Sequence, residues 1–135
     1  MSHLQMKRPQ MKFVALAAAC FLASVISAQA RAAPAGDPAA GQKVFAKCAA
    51  CHSPNANENR VGPSLNGIFG RKAGSLPGFN YSPAMKSSGL TWTPAELDAY
   101  LANPRQKLPG IKMIFAGLPD AQARANLIAY LGTLK

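Results

Sequence analysis

The sequence predicts an all-α domain of four or five short helices joined by long loops. Three helix starts are marked by a capping residue followed by proline, at Asp37-Pro38, Ser82-Pro83 and Thr93-Pro94. A capping side chain accepts a hydrogen bond from a free backbone N–H, and proline suits the first helical position. Near the C terminus, apolar residues recur at the spacing of one helix face. No segment alternates apolar and polar residues as a half-buried strand would.

Residues 1–32 are predicted to be a secretory signal peptide that precedes the domain. Residues 1–12 carry three basic side chains and no acid, and residues 13–26 form an apolar run. Small residues then allow cleavage after about Ala30 or Ala32. The run is short for a membrane span, which needs about 20 residues, although retention as an anchor is the alternative. Cleavage leaves a domain of residues 33–135 with 11 basic and 5 acidic residues, exported to the periplasm of a Gram-negative-type bacterium.

The first predicted helix begins at Asp37-Pro38 and runs into Cys48-Ala49-Ala50-Cys51-His52. This is the C-x-x-C-H pattern of covalent haem attachment, in which two thiols add to two vinyl groups and the histidine binds the iron. The alternatives are a thioredoxin-like dithiol, which needs a βαβ pattern, half of a zinc site, which needs further ligands, and two buried cysteines without chemistry. The motif favours one covalently bound haem c per chain.

The middle of the chain is predicted to be mostly loop. A polar segment, 53–62, is followed by a short turn or helix over 64–69 and a basic, glycine-flanked loop that continues to Tyr81. A short helix over 83–88 follows, and Thr93 and Glu96 form a capping box for the next helix. Loops of this length argue against a regular helix bundle. They are expected where a chain wraps a prosthetic group.

Two further segments complete the predicted domain. Asn103-Pro104 ends the Thr93 helix, because a residue before proline avoids the helical region. Residues 105–115 contain Pro109-Gly110 and no periodicity, which predicts a loop. The last helix begins near Pro119-Asp120 and runs to the C terminus. Its apolar stripe has the i, i+3, i+4, i+7 spacing of one helix face and consists of Leu127, Tyr130, Leu131 and Leu134.

The second axial ligand of the iron follows by elimination. The mature chain has one histidine, His52, so two histidines cannot bind the iron within one chain. Two methionines remain, Met85 and Met113. Met85 lies in a short predicted helix, where methionine commonly fills gaps. Met113 lies in a proline-stiffened loop far along the chain from His52. The sequence therefore predicts His52 as proximal and Met113 as distal ligand.

With these residues, the sequence resembles class I cytochrome c, specifically the mitochondrial-type cytochromes c and their bacterial periplasmic relatives. The resemblance implies the cytochrome c fold, with N- and C-terminal helices that cross. It covers nearly all of residues 36–135 in family order. The matching segments are G-x-x-V-F-x-x-C-x-x-C-H at 41–52, G-P-S-L-N-G-I-F-G-R-K-A-G at 62–74, G-L-T-W at 89–92, Y-L-x-N-P at 100–104, P-G-x-K-M at 109–113 and L-I-A-Y-L at 127–131.

The resemblance also implies roles for residues around the haem. Pro63 matches the proline whose carbonyl accepts the proton on the other nitrogen of the haem histidine, a contact that sets the orientation of the ring. Tyr100 matches the tyrosine near the methionine sulfur. Three positions match side chains that meet a haem propionate, whose buried charge needs such donors: Arg71, Tyr81 and Trp92.

At several positions near the haem, this chain carries residues that differ from those usual in the family. Ile111 stands where mitochondrial members usually carry a threonine that hydrogen-bonds a propionate, and Met85 stands where many have an asparagine. In the proline loop, Lys107 replaces a common aromatic, and Arg105 and Gln106 stand where mitochondrial members usually have lysines. These changes concern the reduction potential and ligand exchange. They leave the attachment site intact.

A haem iron bound by both His52 and Met113 has no open position for oxygen or substrate, which predicts a one-electron carrier and no enzyme. Thioether ligation and burial raise the reduction potential. Expected donors resemble quinol:cytochrome c reductase, and expected acceptors are a terminal oxidase, a reductase or a photosynthetic centre. We expect a monomer without stable membrane insertion. A basic rim that steers acidic partners is expected from lysines in segments that flank the haem edge in the family: Lys47, Lys72, Lys86, Lys107 and Lys112.

Three other functions fit part of the pattern. A haem-based gas sensor or peroxidase would need a labile sixth ligand, so the bonding of Met113 discriminates it from a carrier. A membrane-anchored cytochrome c would retain the N-terminal run. Nucleic-acid binding is disfavoured because the basic residues are scattered among apolar ones and do not form a stripe.

Overall fold

Capping side chains begin every helix of the computed structural model, which describes residues 34–135. The predicted signal peptide, residues 1–32, lies outside the described residues. Within them, the architecture is all-α, as predicted, with one isolated antiparallel bridge between Lys72 and Thr91. The helices are α1 (Pro38–Ala49), α2 (Pro83–Lys86), α3 (Pro94–Ala102), α4 (Pro104–Lys107) and α5 (Ala121–Leu131).

The cap residues explain where the helices begin. Asp37, Ser82 and Thr93 accept hydrogen bonds from the first turns of α1, α2 and α3, as predicted. Asp120 does the same for α5, with its carboxylate 2.7 Å from the Ala123 backbone nitrogen. Such caps stabilise a helix by about 1 kcal/mol each.

Helix α4 is absent from the sequence prediction, which assigned residues 105–115 to a loop. Asn103-Pro104 does end α3, but Asn103 also caps a new turn by accepting from the Gln106 backbone N–H at 3.2 Å. The predicted capping box of α3 is only half formed. Thr93 accepts from the Glu96 N–H, whereas the Glu96 carboxylate pairs with Lys107 at 3.0 Å. This ion pair holds α4 beside α3.

Two helix ends also differ from prediction. Helix α2 ends at Lys86, two residues before the predicted end at residue 88, and α5 ends at Leu131, before the end of the chain. Residues 64–69 form a turn, which is one of the two forms predicted for them. Backbone bonds from Gly67 to the Leu134 carbonyl (2.8 Å) and from Leu134 to the Leu131 carbonyl (3.2 Å) hold the C-terminal residues. The chain end is thereby attached to the 64–69 turn.

Helices α1 and α5 cross at Gly41, where the two backbones touch. A Cβ at Gly41 would overlap the Asn126 carbonyl and lie 2.8 Å from the Tyr130 Cβ. One turn further along α1, the Phe45 ring packs on Tyr130 with the ring centroids 5.2 Å apart. The Asn126 side chain adds a bond from the Asp37 N–H at 2.9 Å. The crossing implied by the resemblance is thus confirmed, and it forms one wall of the core.

The basic loop after Gly70 is joined to the segment that precedes α3. The Gly70 N–H donates to the Trp92 carbonyl, and the Trp92 N–H donates to the Arg71 carbonyl, both at 3.0 Å. The Ala73 N–H continues the ladder to the Leu90 carbonyl at 2.9 Å. These bonds place Arg71 and Trp92 side by side.

Arg124 ties the start of α5 to α3 and to the loop before α5. Its guanidinium lies 2.7 Å from the Asp98 carboxylate and donates to the Leu118 and Pro119 carbonyls at 2.7 and 2.9 Å. The side chain is only 12% exposed. We expect Arg124→Met to lower the free energy of unfolding by about 2–3 kcal/mol, since charge-assisted bonds contribute more than neutral ones. Denaturant titration measures this, with exposed Arg105→Met as the matched control, for which a change below about 0.5 kcal/mol is expected.

No helix within residues 34–135 combines the length and apolar character needed to cross a membrane.

Candidate haem site

One cavity of about 550 Å³ opens between α1, α3, α5 and the long loops. All nine residues predicted to bind the haem line it. Its size is that of a site for a large organic ligand. Further walls come from apolar side chains that are not among the predicted site residues, including Leu65, Ile68 and Phe115. Apolar residues of this kind carry no signal of a binding role, because they also serve as ordinary core.

The last turn of α1 brings the two thiols and the imidazole together. The Cys51 and His52 N–H groups both donate to the Cys48 carbonyl, at 3.0 and 2.9 Å. Cys48 is half-buried, Cys51 is exposed, and the two do not form a disulfide. Burial, and secondly the neighbouring Cys51, raise the pKa of Cys48 to about 11. The pair therefore presents two free sulfurs to the cavity.

The His52 ring is held from its far side. Its Nδ1 lies 2.7 Å from the Pro63 carbonyl, which accepts the Nδ1 proton. This bond leaves the Nε2 lone pair free to bind a metal. Burial lowers the pKa of His52 and favours the neutral ring, although the Pro63 bond opposes the shift. A Cβ at Gly62 would lie 2.7 Å from Nδ1, so only glycine leaves room for the imidazole.

Arg71 brings a cation to the cavity wall. Its guanidinium donates to the Ser64 carbonyl at 2.8 Å and the Asn66 carbonyl at 3.2 Å. Burial lowers its pKa, and the only opposing influence is Tyr81. No carboxylate among the described residues pairs with it. A half-buried cation without a protein counter-charge is suited to an anionic ligand group.

Tyr81, Trp92 and Tyr100 contribute aromatic side chains with hydrogen-bond donors to the wall. Trp92 and Tyr100 are 7% and 6% exposed, and their rings pack with centroids 5.0 Å apart. Burial raises the pKa of Tyr100 to about 12 and also raises that of Tyr81. Both phenols stay protonated at neutral pH and can donate hydrogen bonds.

Met113 enters the cavity from an extended strap, residues 109–116. Along this strap the side chains at 111, 113 and 115 are half-buried, while those at 112, 114 and 116 are exposed. The strap is attached by Lys112, whose Nζ donates to the Asn80 carbonyl at 3.0 Å. Beyond it, the Leu118 N–H donates to the Leu101 carbonyl at 2.7 Å. Met85 also lines the cavity and is buried.

The five predicted docking lysines are exposed but differ in position. Lys47 and Lys112 lie at the cavity. Lys72 belongs to the bridge with Thr91, and Lys86 ends α2. Lys107 is paired with Glu96, so its charge is partly offset. The structure thus brings two of the five lysines to the cavity.

These residues fit a haem. The macrocycle can be held by the two free thiols and the apolar wall. The iron can be bound by an imidazole with a free Nε2 and by a thioether. The propionates can be met by a guanidinium that no carboxylate of the described residues pairs with.

Comparison with known proteins agrees with the site. The sequence model of the family "Cytochrome c" matches residues 38–135. The chain belongs to the cytochrome c family. It is therefore an electron-transfer protein and no enzyme, with one covalently attached haem c for which Cys48 and Cys51 fit the attachment motif.

Relatives of this cytochrome c occur in bacteria and animals. It is 57% identical over 103 residues to cytochrome c2 of Rhodoblastus acidophilus. The match covers 75% of this chain and 95% of that protein. It is 48% identical over 99 residues to cytochrome c type-1 of Ascaris suum, covering 73% and 88%. Among solved structures, cytochrome cH from Methylobacterium extorquens matches with a TM-score of 0.69 and 50% identity, covering 73% of this chain and 99% of that one. The predicted family and fold are confirmed.

Proposed function

We propose that this cytochrome c is a periplasmic one-electron carrier whose haem iron is bound by His52 and Met113. The observation that supports it best is that both side chains line one apolar cavity together with Cys48 and Cys51. Residues 1–32 serve as the export signal, and the domain begins near residue 33.

Each residue of the site has a defined task in this proposal. The bound haem supplies the ferric/ferrous couple. Pro63 fixes the Nδ1 proton of His52 and so aims Nε2 at the iron. Met113 would hold the iron through its thioether sulfur, which, together with the apolar wall, would favour the ferrous state. Arg71 would offset the charge of a propionate, and Tyr81 and Trp92 would donate hydrogen bonds to it.

The cavity mouth is the proposed docking face. Cys51 is exposed there, and Val61 and Ile114 are 81% and 89% exposed. Lys47 and Lys112 are exposed and line the same cavity as these apolar side chains. A small apolar patch with positive flanks is suited to brief contacts with acidic redox proteins, such as a quinol:cytochrome c reductase as donor and a terminal oxidase, reductase or photosynthetic centre as acceptor.

The proposal is tested on the purified, exported protein. A potentiometric titration followed by visible absorption should fit one one-electron step at a positive potential. Mass spectrometry should find one haem and an N terminus near residue 31 or 33, whereas a retained apolar run would identify an anchored protein. Carbon monoxide binding at neutral pH would oppose the carrier and support a sensor or peroxidase.

Charge reversal at Lys47 tests the docking face. Lys47→Glu should slow the bimolecular reaction with a cytochrome c oxidase about tenfold at low salt, since it reverses a steering charge at the mouth. The wild-type rate should fall steeply with ionic strength. Lys43→Glu is the matched control, because Lys43 is also exposed, one turn earlier on α1, but does not line the cavity. Equal effects of the two reversals, or a wild-type rate independent of salt, would contradict steering at this face.

A further inference from the structure

The loop of residues 53–62, which follows the haem-binding motif, is closed by the carboxylate of Glu58. One oxygen of Glu58 accepts from Ser53 Oγ at 2.7 Å and Asn55 Nδ2 at 2.8 Å. The other accepts from Arg60 Nε and Nη2 at 2.9 and 2.7 Å. We call these four side chains the Glu58 clasp. Arg60 extends it to α1 by donating from Nη1 to the Ala49 carbonyl at 2.9 Å.

The clasp is formed by charged groups around a buried anchor. Ser53 is fully buried, whereas Glu58 and Arg60 are partly exposed. The four hydrogen bonds lower the pKa of Glu58 to about 2, with the Ser53 bond the largest cause and those of Asn55 and Arg60 next. The carboxylate is thus charged at neutral pH, and the two-point contact with Arg60 is of the strong, charge-assisted type.

The loop that the clasp closes also holds the residues on both sides of Pro63. Because Pro63 has no N–H of its own, its position depends on its neighbours. Ser64 is almost fully buried, so its bonds are shielded from water. The bonds are Gly62 N–H to the Cys51 carbonyl at 2.7 Å, Ser64 Oγ to the Asn55 carbonyl at 2.6 Å and Ser64 N–H to Asn59 Oδ1 at 3.1 Å.

We propose that Glu58 is a positioning residue for the axial histidine: the Glu58 clasp sets the Pro63 carbonyl, and through it the orientation and basicity of the His52 ring. This rests on the proposed role of His52 as iron ligand. The Glu58 carboxylate itself does not touch the ring, since its partners are Ser53, Asn55 and Arg60. The connection from Glu58 to His52 runs through the loop backbone. Hydrogen bonds of Gly62 and Ser64 hold Pro63 on both sides, and the Pro63 carbonyl contacts the ring.

The clasp should lower the reduction potential of the haem. A firm bond from Nδ1–H to a carbonyl makes the imidazole a stronger electron donor, which favours ferric iron. Loosening the clasp lengthens or misaligns this bond and favours ferrous iron. The reduction potential should therefore rise when Glu58 loses its charge.

The test is Glu58→Gln in the haem-loaded protein. Glutamine keeps the size of the side chain, but its single carbonyl oxygen cannot serve Arg60 and the Ser53–Asn55 pair together. We expect the electron-exchange equilibrium to shift about threefold toward the ferrous form, which is an upward shift of about 30 mV at 59 mV per tenfold. In the reduced protein, the His52 Nδ1 proton followed by NMR should exchange with solvent several times faster.

Asp98→Asn is the matched control. It weakens an equally short arginine–carboxylate contact, 2.7 Å from Asp98 to Arg124, that has no bonded path to Pro63. It should lower the unfolding midpoint yet leave the potential and the His52 proton exchange as in the wild type. If Glu58→Gln fails to fold, Arg60→Lys tests the same clasp, because lysine keeps the positive charge of residue 60. A smaller upward shift of the reduction potential is then expected.

Folded Glu58→Gln protein with wild-type potential and proton exchange would overturn the proposal. Equal shifts in Asp98→Asn would overturn it too, because they would reduce the effect to stability. Failure of the proposed carrier function is seen separately, in the spectrum and titration of the wild-type protein. The clasp proposal is judged only on the difference between variant and wild type.

Discussion

Replacing Met113 by leucine is expected to abolish the far-red absorption band that bonding between sulfur and ferric iron gives the oxidised protein. It is also expected to let carbon monoxide bind the reduced iron at neutral pH. Leucine conserves the volume of methionine but has no sulfur to bind iron. Loss of the thioether should also lower the reduction potential by a substantial part of the roughly 0.8 V range over which axial ligands move haem potentials. Absorption spectroscopy and potentiometry measure both effects.

Met85→Leu is the control that separates the two methionines. Both side chains line the same cavity, so both changes alter its wall by a similar amount. Because Met85 is assigned to packing, its variant should keep the far-red band and resist carbon monoxide. Loss of the band in Met85→Leu and its retention in Met113→Leu would reverse the proposed ligand assignment.

Enlarging Gly41 is expected to have the largest effect on stability. In α1, alanine would by propensity favour the helix over glycine by about 1 kcal/mol. Here the added Cβ would overlap the Asn126 carbonyl of α5, a backbone atom that can move only if the helices separate. Gly41→Ala should therefore lower the free energy of unfolding by about 2 kcal/mol, and Gly41→Val by more than about 4 kcal/mol. Denaturant titration of the haem-loaded protein measures these values.

Ala46→Val serves as the control for Gly41. Ala46 is exposed on the same helix, so valine there costs only its lower helix propensity, below about 1 kcal/mol. A Gly41→Ala variant as stable as the wild type would mean that the crossing of α1 and α5 can open at little cost, contrary to the backbone contact at Gly41.

The parts of the fold that local chemistry determines could be predicted from the sequence. The caps at Asp37, Ser82 and Thr93 act on the next turn of their own chain, so their effect is visible in a few residues. Asn103 shows the limit of such inference. The proline after it predicts the end of one helix, whereas it is also the start of the next.

Side-chain pairings other than helix caps could not be predicted in the same way. Nothing in the sequence near Glu96 indicates that it pairs with Lys107, eleven residues on, instead of completing its own capping box. The Glu58 clasp could not be predicted either, because it lies in a polar loop whose sequence does not show that Ser53 is buried and bonded to Glu58. The place of Arg71 in the cavity followed from resemblance, since neither its spacing nor its charge identifies a wall of a binding site.

The alternation of buried and exposed side chains along the strap has a consequence for its length. Residues 111, 113 and 115 face inward and residues 112, 114 and 116 face outward, as in a strand whose register cannot slip by one residue without exchanging its faces. A single inserted or deleted residue before Met113 would put Lys112 or Ile114 at the half-buried position of Met113 and move the thioether to an exposed position. Surface loops usually tolerate insertions, but this strap should permit no change in length.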